Sequence, residues 1–149
     1  MANTLDEVAF EMHNLAHKQL ETSYTEFMTL LSVTEQLVYD QGFYKNGPTM
    51  IALKPTEFEQ EKQTYDVYIP VNESVTNGTF ENVDELKYDR ALHTRVPFDE
   101  GLQATLDEMK DYLKSAGVVY QDQLLLVMTQ VYEEYWVDLL IPMTEKVAE

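Results

Sequence analysis

Two aspartates stand inside the most apolar strand-like stretches of the chain, and each is followed by an Ile-Pro pair. Asp138 lies in residues 136–143, which read W-V-D-L-L-I-P-M, and Asp66 lies in residues 64–71, which read T-Y-D-V-Y-I-P-V. An acid enclosed by apolar residues can be the counter-charge of a cation or a catalytic acid or base, because desolvation raises its pKa. The two stretches are 72 residues apart in a chain of 149, which predicts a duplicated unit.

Alternation along the later stretch gives it two unlike faces. In a strand, Trp136, Asp138 and Leu140 point to one side, while three aliphatic residues point to the other. We expect the aliphatic side to lie under helices. The side that carries Asp138 is either the wall of a closed cleft, with the indole of Trp136 beside the acid, or the solvated side of a sheet, and the sequence leaves both open.

The earlier stretch offers a second acid with tyrosines around it. Ten tyrosines occur in the chain, and aromatic walls suit amphipathic ligands as well as ordinary strand packing. Two related acids near a pseudo-twofold axis could also form an acid/base pair, although the spacing does not require one, and we predict no catalytic residues. The predicted ligand-binding residues are Asp138, Trp136, Tyr68, Tyr65 and Asp66.

The composition narrows the class of function. The chain has 27 acidic and 10 basic residues, for a net charge of −17. Such a field disfavours nucleic-acid binding and favours a cationic ligand or a protein partner with a basic surface, although solubility alone would also account for it. Cysteine is absent, which excludes disulfides and fits a cytoplasmic protein. No apolar run approaches the roughly 20 residues that cross a bilayer, so we expect no membrane association.

The three histidines predict no metal site. His13 and His17 are four residues apart but are expected at a strand-to-helix junction, where no third ligand stands at metal-like spacing. His93 and Arg95 share a strand face and could hold an anion, although surface positions are the simpler interpretation. Neither a nucleophile elbow nor a glycine-rich phosphate loop is present. We therefore expect neither a metal nor a cofactor.

Hydrophobic periodicity predicts the order strand, helix, strand, strand, followed by the same order again. The first repeat covers about residues 8–72 and the second about 85–143, within a single domain of residues 1–149. Helices are predicted at 18–40 and 98–115 from apolar spacings of three, four and seven. The predicted fold class is α+β, with about six antiparallel strands in one or two sheets and two long helices on one face.

Three features of the second repeat occur together in a known family. They are an extended strand that ends near a proline (residues 90–97), a helix that stops at Gly117, and a last strand that ends acid-x-x-Ile-Pro-apolar (residues 138–143). In these features the chain resembles the GyrI-like family, the effector-binding domains of bacterial transcription activators and their stand-alone relatives. The resemblance covers nearly the whole chain, with residues 65–71 as the counterpart in the first repeat.

The resemblance implies a pseudo-twofold cleft between the repeats that binds hydrophobic cations with aromatic walls and a buried glutamate on the last strand. Asp138 stands at the position of that glutamate, and its side chain is one methylene shorter, so the carboxylate would be set back from the centre of the pocket. This implies non-enzymatic binding of a small amphipathic, cationic ligand. Because a few stand-alone members are thought to hydrolyse reactive small molecules, a small hydrolase is a weaker alternative.

The segment G-F-Y-K-N-G-P at residues 42–48, with no DNA-binding helix-turn-helix beside it, resembles a narrower branch of the same family. This branch consists of small Firmicute proteins encoded near type VII secretion loci with LXG toxins. It implies an alternative role as a cytoplasmic accessory or adaptor protein that binds a protein partner through its acidic surface. The sequence leaves the oligomeric state open.

Overall fold

The computed structural model describes residues 5–22, 26–54, 63–73, 80–98, 102–118, 120 and 123–143. The sequence also predicts a loop at 55–63, a loop between the halves at 72–84 and a polar tail at 144–149. Of these segments, residues 55–62, 74–79 and 144–149 lie outside the described residues. The described elements are β1 (Asp6–Thr22), α1 (Phe27–Asp40), β2 (Thr49–Leu53), β3 (Gln63–Pro70), β4 (Glu81–Pro97), α2 (Leu102–Ser115), β5 (Leu124–Val131) and β6 (Glu134–Pro142).

These six strands form one antiparallel sheet that closes into a barrel. The strand order is β1-β3-β2-β5-β6-β4, and β4 pairs with β1 to complete the ring. Exchanging β1, β2 and β3 for β4, β5 and β6 leaves every neighbour relation unchanged. The two halves meet at two seams, β1 with β4 and β2 with β5. Duplication of the sequence itself stays a prediction.

The predicted fold class, an α+β sheet with two long helices on one face, is wrong. The sheet closes on itself, and each helix has 14 residues. The largest error concerns β1, which continues to Thr22 although residues from Lys18 onward have helical apolar spacing. Pairing with β3 over this stretch and with β4 along the earlier part overrides the local period. Because β1 and β4 each have 17 residues, they pair with neighbours on both sides and close the ring.

The helices cover the outer side of the barrel. Leu106, Met109 and Leu113 of α2 are fully buried in one apolar cluster with Leu139 and Ile141 of β6. The prediction that the aliphatic side of the last strand lies under helices is therefore confirmed. Neither α1 nor α2, as far as the structure describes them, is long and apolar enough to span a membrane.

The inner side of the barrel carries a second, smaller cluster of buried residues. Its members come from five of the six strands and include no helical residue of the described chain: Leu15, Met50, Ala52, Tyr88, Ala91, Leu125, Val127 and Leu140. Phe10, Met12 and Tyr68 pack against them. This inner side is the surface on which both aspartates of the repeated phrase lie.

A residue with a left-handed backbone conformation shifts the alternation of inward-facing and outward-facing side chains along β1. Met12 and Leu15 both pack in the inner cluster although they are three residues apart, and Asn14 between them has φ 58°. Asn14 Nδ2 donates to the carbonyl oxygen of Val71 at 2.8 Å, and the Val71 amide donates to the Asn14 carbonyl at 3.1 Å. Asparagine tolerates this conformation better than most residues. The change of parity brings His17 to the inner side.

The alternation of inward-facing and outward-facing side chains also shifts along β4. Leu86 and Tyr88 pack in the inner cluster, whereas Leu92 packs in the helix-side cluster. A register shift between β1 and β4 lies in this part of the ribbon and accounts for the change. Alternation along the sequence assigns five residues to one side, and that assignment is wrong for this strand: Leu86, Tyr88, Arg90, Leu92 and Thr94.

Candidate functional site

Asp138 is a buried carboxylate with two basic neighbours. The residue is 8% exposed. Its Oδ1 accepts hydrogen bonds from His93 Nε2 at 2.7 Å and from Arg95 Nε at 2.8 Å, and Arg95 Nη2 donates to Oδ2 at 3.3 Å. The hydrogen bond to Asp138, together with the charge of that carboxylate, raises the pKa of Arg95. The negative charge of Asp138 is therefore compensated by the protein itself.

Asp66 has a similar setting with weaker compensation. Its Oδ1 accepts hydrogen bonds from His17 Nε2 at 2.8 Å and from the side-chain amide of Gln19 at 3.2 Å. The Asp66 side chain is 31% exposed, against 11% for that of Asp138. Because an amide carries no charge, Gln19 leaves Asp66 with more of its negative potential than Arg95 leaves to Asp138.

Each of these histidines bridges two carboxylates. The second ring nitrogen of His17 lies 3.0 Å from Glu81 Oε1, and that of His93 lies 2.8 Å from Asp6 Oδ1. Each ring therefore lies between acids of the two strands that neighbour its own: β3 and β4 for His17, and β6 and β1 for His93. The two histidines thus fix the acids on either side of them.

Tyr68 follows Asp66 by two residues and lies on the same side of β3. Its ring stacks on His17, with centroids 4.8 Å apart and an interplanar angle of 25°. Burial raises the pKa of Tyr68, and the nearby carboxylates of Asp66 and Glu81 raise it further. The phenol is therefore a neutral hydrogen-bonding group at physiological pH.

A second tyrosine lies deeper on the same side. Tyr88 is buried, its hydroxyl accepts a hydrogen bond from Gln123 Nε2 at 2.9 Å, and its ring lies 5.9 Å from that of Phe10. Burial is the main cause that raises the pKa of Tyr88 above its ordinary value. The inner side therefore carries buried aromatic surface in addition to the two acids.

The burial of Tyr88 predicts a loss of stability at alkaline pH. Its pKa is raised in the folded state, so above the ordinary value of 10.0 the unfolded chain releases the phenolic proton while the folded chain retains it. The stabilisation that the buried, protonated Tyr88 contributes is present in full below pH 10. Above pH 10, the free energy of unfolding falls by about 1.4 kcal/mol per pH unit. Urea denaturation between about pH 9 and about pH 11 measures this slope. Tyr88→Phe should flatten it, and the exposed Tyr132→Phe should not; an equal slope in all three proteins would contradict the assignment.

The two acids lie beside cavities of different volume. A cavity of about 500 Å³ lies next to Asp66, and its lining includes Gln19, Ala52, Lys54 and Gln123. The cavity next to Asp138 measures about 180 Å³. Small-molecule sites commonly measure about 300–1,000 Å³, so the first cavity lies within this range and the second below it.

An apolar floor joins the two acids across the barrel wall. At a strand spacing of about 4.8 Å, the acids are three strands apart, or about 14 Å along the sheet. Two rows of register partners cross this distance; the first is Tyr68, Met50, Val127 and Asp138, and the second is Asp66, Ala52, Leu125 and Leu140. A ligand on this side meets carboxylates at the ends and apolar side chains between them.

The structure brings some of the five predicted residues together and separates one. Asp66 and Tyr68 lie on the inner side of β3, and Trp136 lies half-buried two residues before Asp138 on β6. Tyr65 is fully buried in the helix-side cluster, on the opposite side of β3 from Asp66. It supports the strand from behind and does not line the inner side.

Sequence reasoning missed His17 and Gln19, because it placed them at the start of a helix. Both lie within β1, so the predicted strand-to-helix junction at the histidines is wrong. A signal was present in the sequence, since His-Lys-Gln at residue 17 parallels His-Thr-Arg at His93. The alternative in which His93 and Arg95 hold an anion has a physical counterpart, although surface positions were the preferred interpretation, because both side chains contact the carboxylate of Asp138.

The prediction that no metal binds stays untested. Among the described residues, Glu11, His13 and Glu85 form one exposed group whose ligand atoms lie within 4.8 Å of one another. Exposed acids on neighbouring strands commonly come this close without an ion, so the group carries no argument for a metal site.

No model of a known protein family matches the chain, and no curated protein matches its sequence. Solved structures do match its fold. The EcmrR C-terminal domain superimposes with a TM-score of 0.74 and 12% identity, over 96% of this chain and 99% of that domain. The chain shares the fold of that domain.

Two further structures extend the comparison. EcmrR in its complex with DNA matches with a TM-score of 0.72 and 15% identity, over 96% of this chain and 58% of that one. SAV2435 bound to tetraphenylphosphonium matches with a TM-score of 0.50 and 11% identity, over 97% and 94% of the two chains. The neighbours have a GyrI-like effector-binding fold, so the predicted resemblance holds at the level of the fold. The narrower Firmicute branch stays a prediction.

Proposed function

We propose that the protein is a non-enzymatic binding protein that takes up a small amphipathic cation on the inner side of its barrel. The observation that carries the proposal is the placement of Asp66 and Asp138 at either end of an apolar floor, with Tyr68 at one end. Carboxylates supply the counter-charge, and the apolar and aromatic side chains bury the rest of the ligand. The fold shared with SAV2435, whose structure holds tetraphenylphosphonium, supports the choice of a lipophilic cation.

The predicted residues take distinct roles under this proposal. Asp66 supplies most of the negative potential of the inner side, because Arg95 compensates the charge of Asp138, and the net charge of −17 steers cations towards it. Tyr68 and Trp136 flank the two acids, and Tyr65 holds β3 against the helices. The weaker alternative, a small hydrolase, stays a prediction, since a carboxylate that contacts a histidine occurs in binding sites and in catalytic sites.

A single titration series tests the binding proposal. Calorimetry of the full chain should record saturable binding of tetraphenylphosphonium. The fluorescence of Trp136, the only tryptophan of the chain and a neighbour of Asp138 on β6, reports whether the ligand reaches that end. The double variant Asp66→Asn/Asp138→Asn keeps the shape of both side chains and removes both charges, and it should weaken binding at least about tenfold, or about 1.4 kcal/mol.

The matched control is Asp89→Asn, which removes a charge from an exposed position of β4. It should bind like the unaltered protein. Absence of saturable binding in calorimetry, or an unchanged affinity in the double variant, would refute the proposed function.

A second candidate is an adaptor that binds a basic protein partner, as the predicted type VII secretion branch implies. One observation favours it. Exposed acids follow one another along the ribbon that β1 and β4 form: Glu7, Glu11, Glu81, Asp84, Glu85 and Asp89. A surface of one charge accelerates association with a partner of opposite charge. A gene neighbourhood without a toxin gene would weigh heavily against this candidate.

A further inference from the structure

We infer that the two carboxylate centres have diverged: the Asp66 centre is open to an external organic cation, whereas the Asp138 centre is closed by Arg95, a cation that the chain supplies itself. The inference rests on the proposed function and assigns the ligand to one end of the inner side. It places the ligand in the first half of the chain, away from the last strand.

The two centres correspond position by position. Asp66 lies directly opposite Gln19 in the β1–β3 pair, and Asp138 lies directly opposite Arg95 in the β4–β6 pair. In both pairs a histidine stands two residues before the opposing residue and reaches the acid through its Nε2. Because the frame is the same, differences between the centres come from the few side chains that differ.

The first difference is the charge opposite the acid. Arg95 reaches both oxygens of Asp138, with Nε at 2.8 Å from Oδ1 and Nη2 at 3.3 Å from Oδ2. The Arg95 side chain is 62% exposed, so solvent weakens the attraction, but its two-pronged contact fixes the geometry and the arginine is tethered at high effective concentration. An external cation must displace it to reach Asp138.

At the Asp66 end of the inner side, Gln19 takes the position of Arg95 and is not a competing cation. Its amide makes one hydrogen bond of 3.2 Å to Asp66, and it carries no charge. Lys54 lines the same cavity, but within the described part of the chain it forms no ion pair with Asp66 and so does not take the place that Arg95 has. Since a histidine contacts the acid in both centres, the centres differ in the second donor, which is a neutral amide at Asp66 and a guanidinium at Asp138.

The second difference is the space and the surface around the acid. The cavity at Asp66 is more than twice as large as that at Asp138, about 500 against about 180 Å³. The residue two places after the acid is Tyr68 in the first centre and Leu140 in the second. The Tyr68 ring stacks on His17 and is not part of the cavity lining, so it holds the histidine of the first centre in place. Charge and volume therefore favour the first centre.

Reciprocal substitutions test the inference with tetraphenylphosphonium as the probe and calorimetry of the full chain as the readout. Gln19→Arg places the guanidinium of the second centre opposite Asp66, and it should weaken binding at least about tenfold. Arg95→Gln removes the internal cation, and it should add a second, weaker binding event to the first. Asp66→Asn should weaken the primary event at least about fivefold more than Asp138→Asn does.

Gln130→Arg is the matched control, since it makes the same chemical change at an exposed position of β5. It should leave the affinity unchanged. Circular dichroism melts establish that each variant is folded, and Arg95→Lys replaces Arg95→Gln if the latter unfolds. Lysine keeps the charge but loses the two-pronged contact, so it too should admit a second, weaker event.

The outcomes separate the two proposals. Binding that survives Gln19→Arg at full strength and depends on Asp138 more than on Asp66 overturns this inference while leaving the proposed function intact. Binding that is absent from the unaltered protein overturns the proposed function, and this inference with it.

Discussion

Replacing Asn14 by valine should lower the free energy of unfolding by about 2–4 kcal/mol. Asn14 has φ 58°, a conformation in which a β-branched residue is strained by about 1–3 kcal/mol. The substitution also removes the hydrogen bond of 2.8 Å from the asparagine side chain to the Val71 carbonyl, worth about 1 kcal/mol. Urea denaturation measures the sum as a shift of the midpoint at constant slope.

Asn14→Gly separates the two causes, because glycine adopts the conformation without strain but makes no side-chain hydrogen bond. It should cost about 1 kcal/mol, clearly less than valine. Equal losses for glycine and valine would show that the left-handed backbone is not what Asn14 contributes. Because this residue turns His17 to the inner side, Asn14→Val should also weaken binding of a cation at Asp66, whereas Asn14→Gly should retain most of it.

The second large effect is expected on the helix side of β6. Leu139 is fully buried, belongs to the cluster that includes α2, and stands between the inward-facing Asp138 and Leu140. Leu139→Ala removes its buried side chain and leaves a cavity under the helix, so it should cost about 2–5 kcal/mol. The loss is measured by urea denaturation and by the melting temperature.

Tyr132→Ala provides the comparison, since Tyr132 is 95% exposed, and its cost should stay within about 0.5 kcal/mol. Leu139→Ala should leave the affinity for cations nearly unchanged at temperatures where the variant is folded, because its side chain points away from the inner side. A cost below about 1 kcal/mol would mean that the helix is held mainly by other residues.

The sequence was informative where one rule decides the structure. In β6, the two-residue period of a strand predicts one purely aliphatic face and one face that carries Asp138, and the buried cluster of Leu139 and Ile141 agrees with it. The order of strands and helices along the chain also follows from hydrophobic periodicity. In these places the local pattern and the tertiary environment favour the same answer.

The sequence failed where two rules compete. Leu20 stands at a helical spacing from later apolar residues, yet it lies in β1, because pairing with β3 and β4 outweighs the spacing. Closure of the sheet depends on pairing between residues that are distant in sequence, such as Asp6 with His93, and no local pattern encodes it. The fold class was wrong for this reason.

Only part of the candidate site could be predicted from the sequence. Asp66, Tyr68, Trp136 and Asp138 follow from the repeated phrase, but the groups opposite the acids depend on register, which single-strand patterns do not fix. The position of His17 requires the parity change at Asn14, and a left-handed residue in a strand leaves little trace in the hydrophobic pattern.

The two seams of the barrel bear on how the chain reaches its fold. Within each half, the three strands pair with one another, but β1 must find β4 and β2 must find β5, which joins residues such as Ile51 and Leu126. Contacts this distant in sequence form late and slow folding down. Until they form, each half is a three-stranded sheet with two unpaired edges, which are the parts of a chain that seek strands from other molecules. The symmetry that creates the two carboxylate centres therefore also exposes the newly made first half to self-association until the second half has been synthesised.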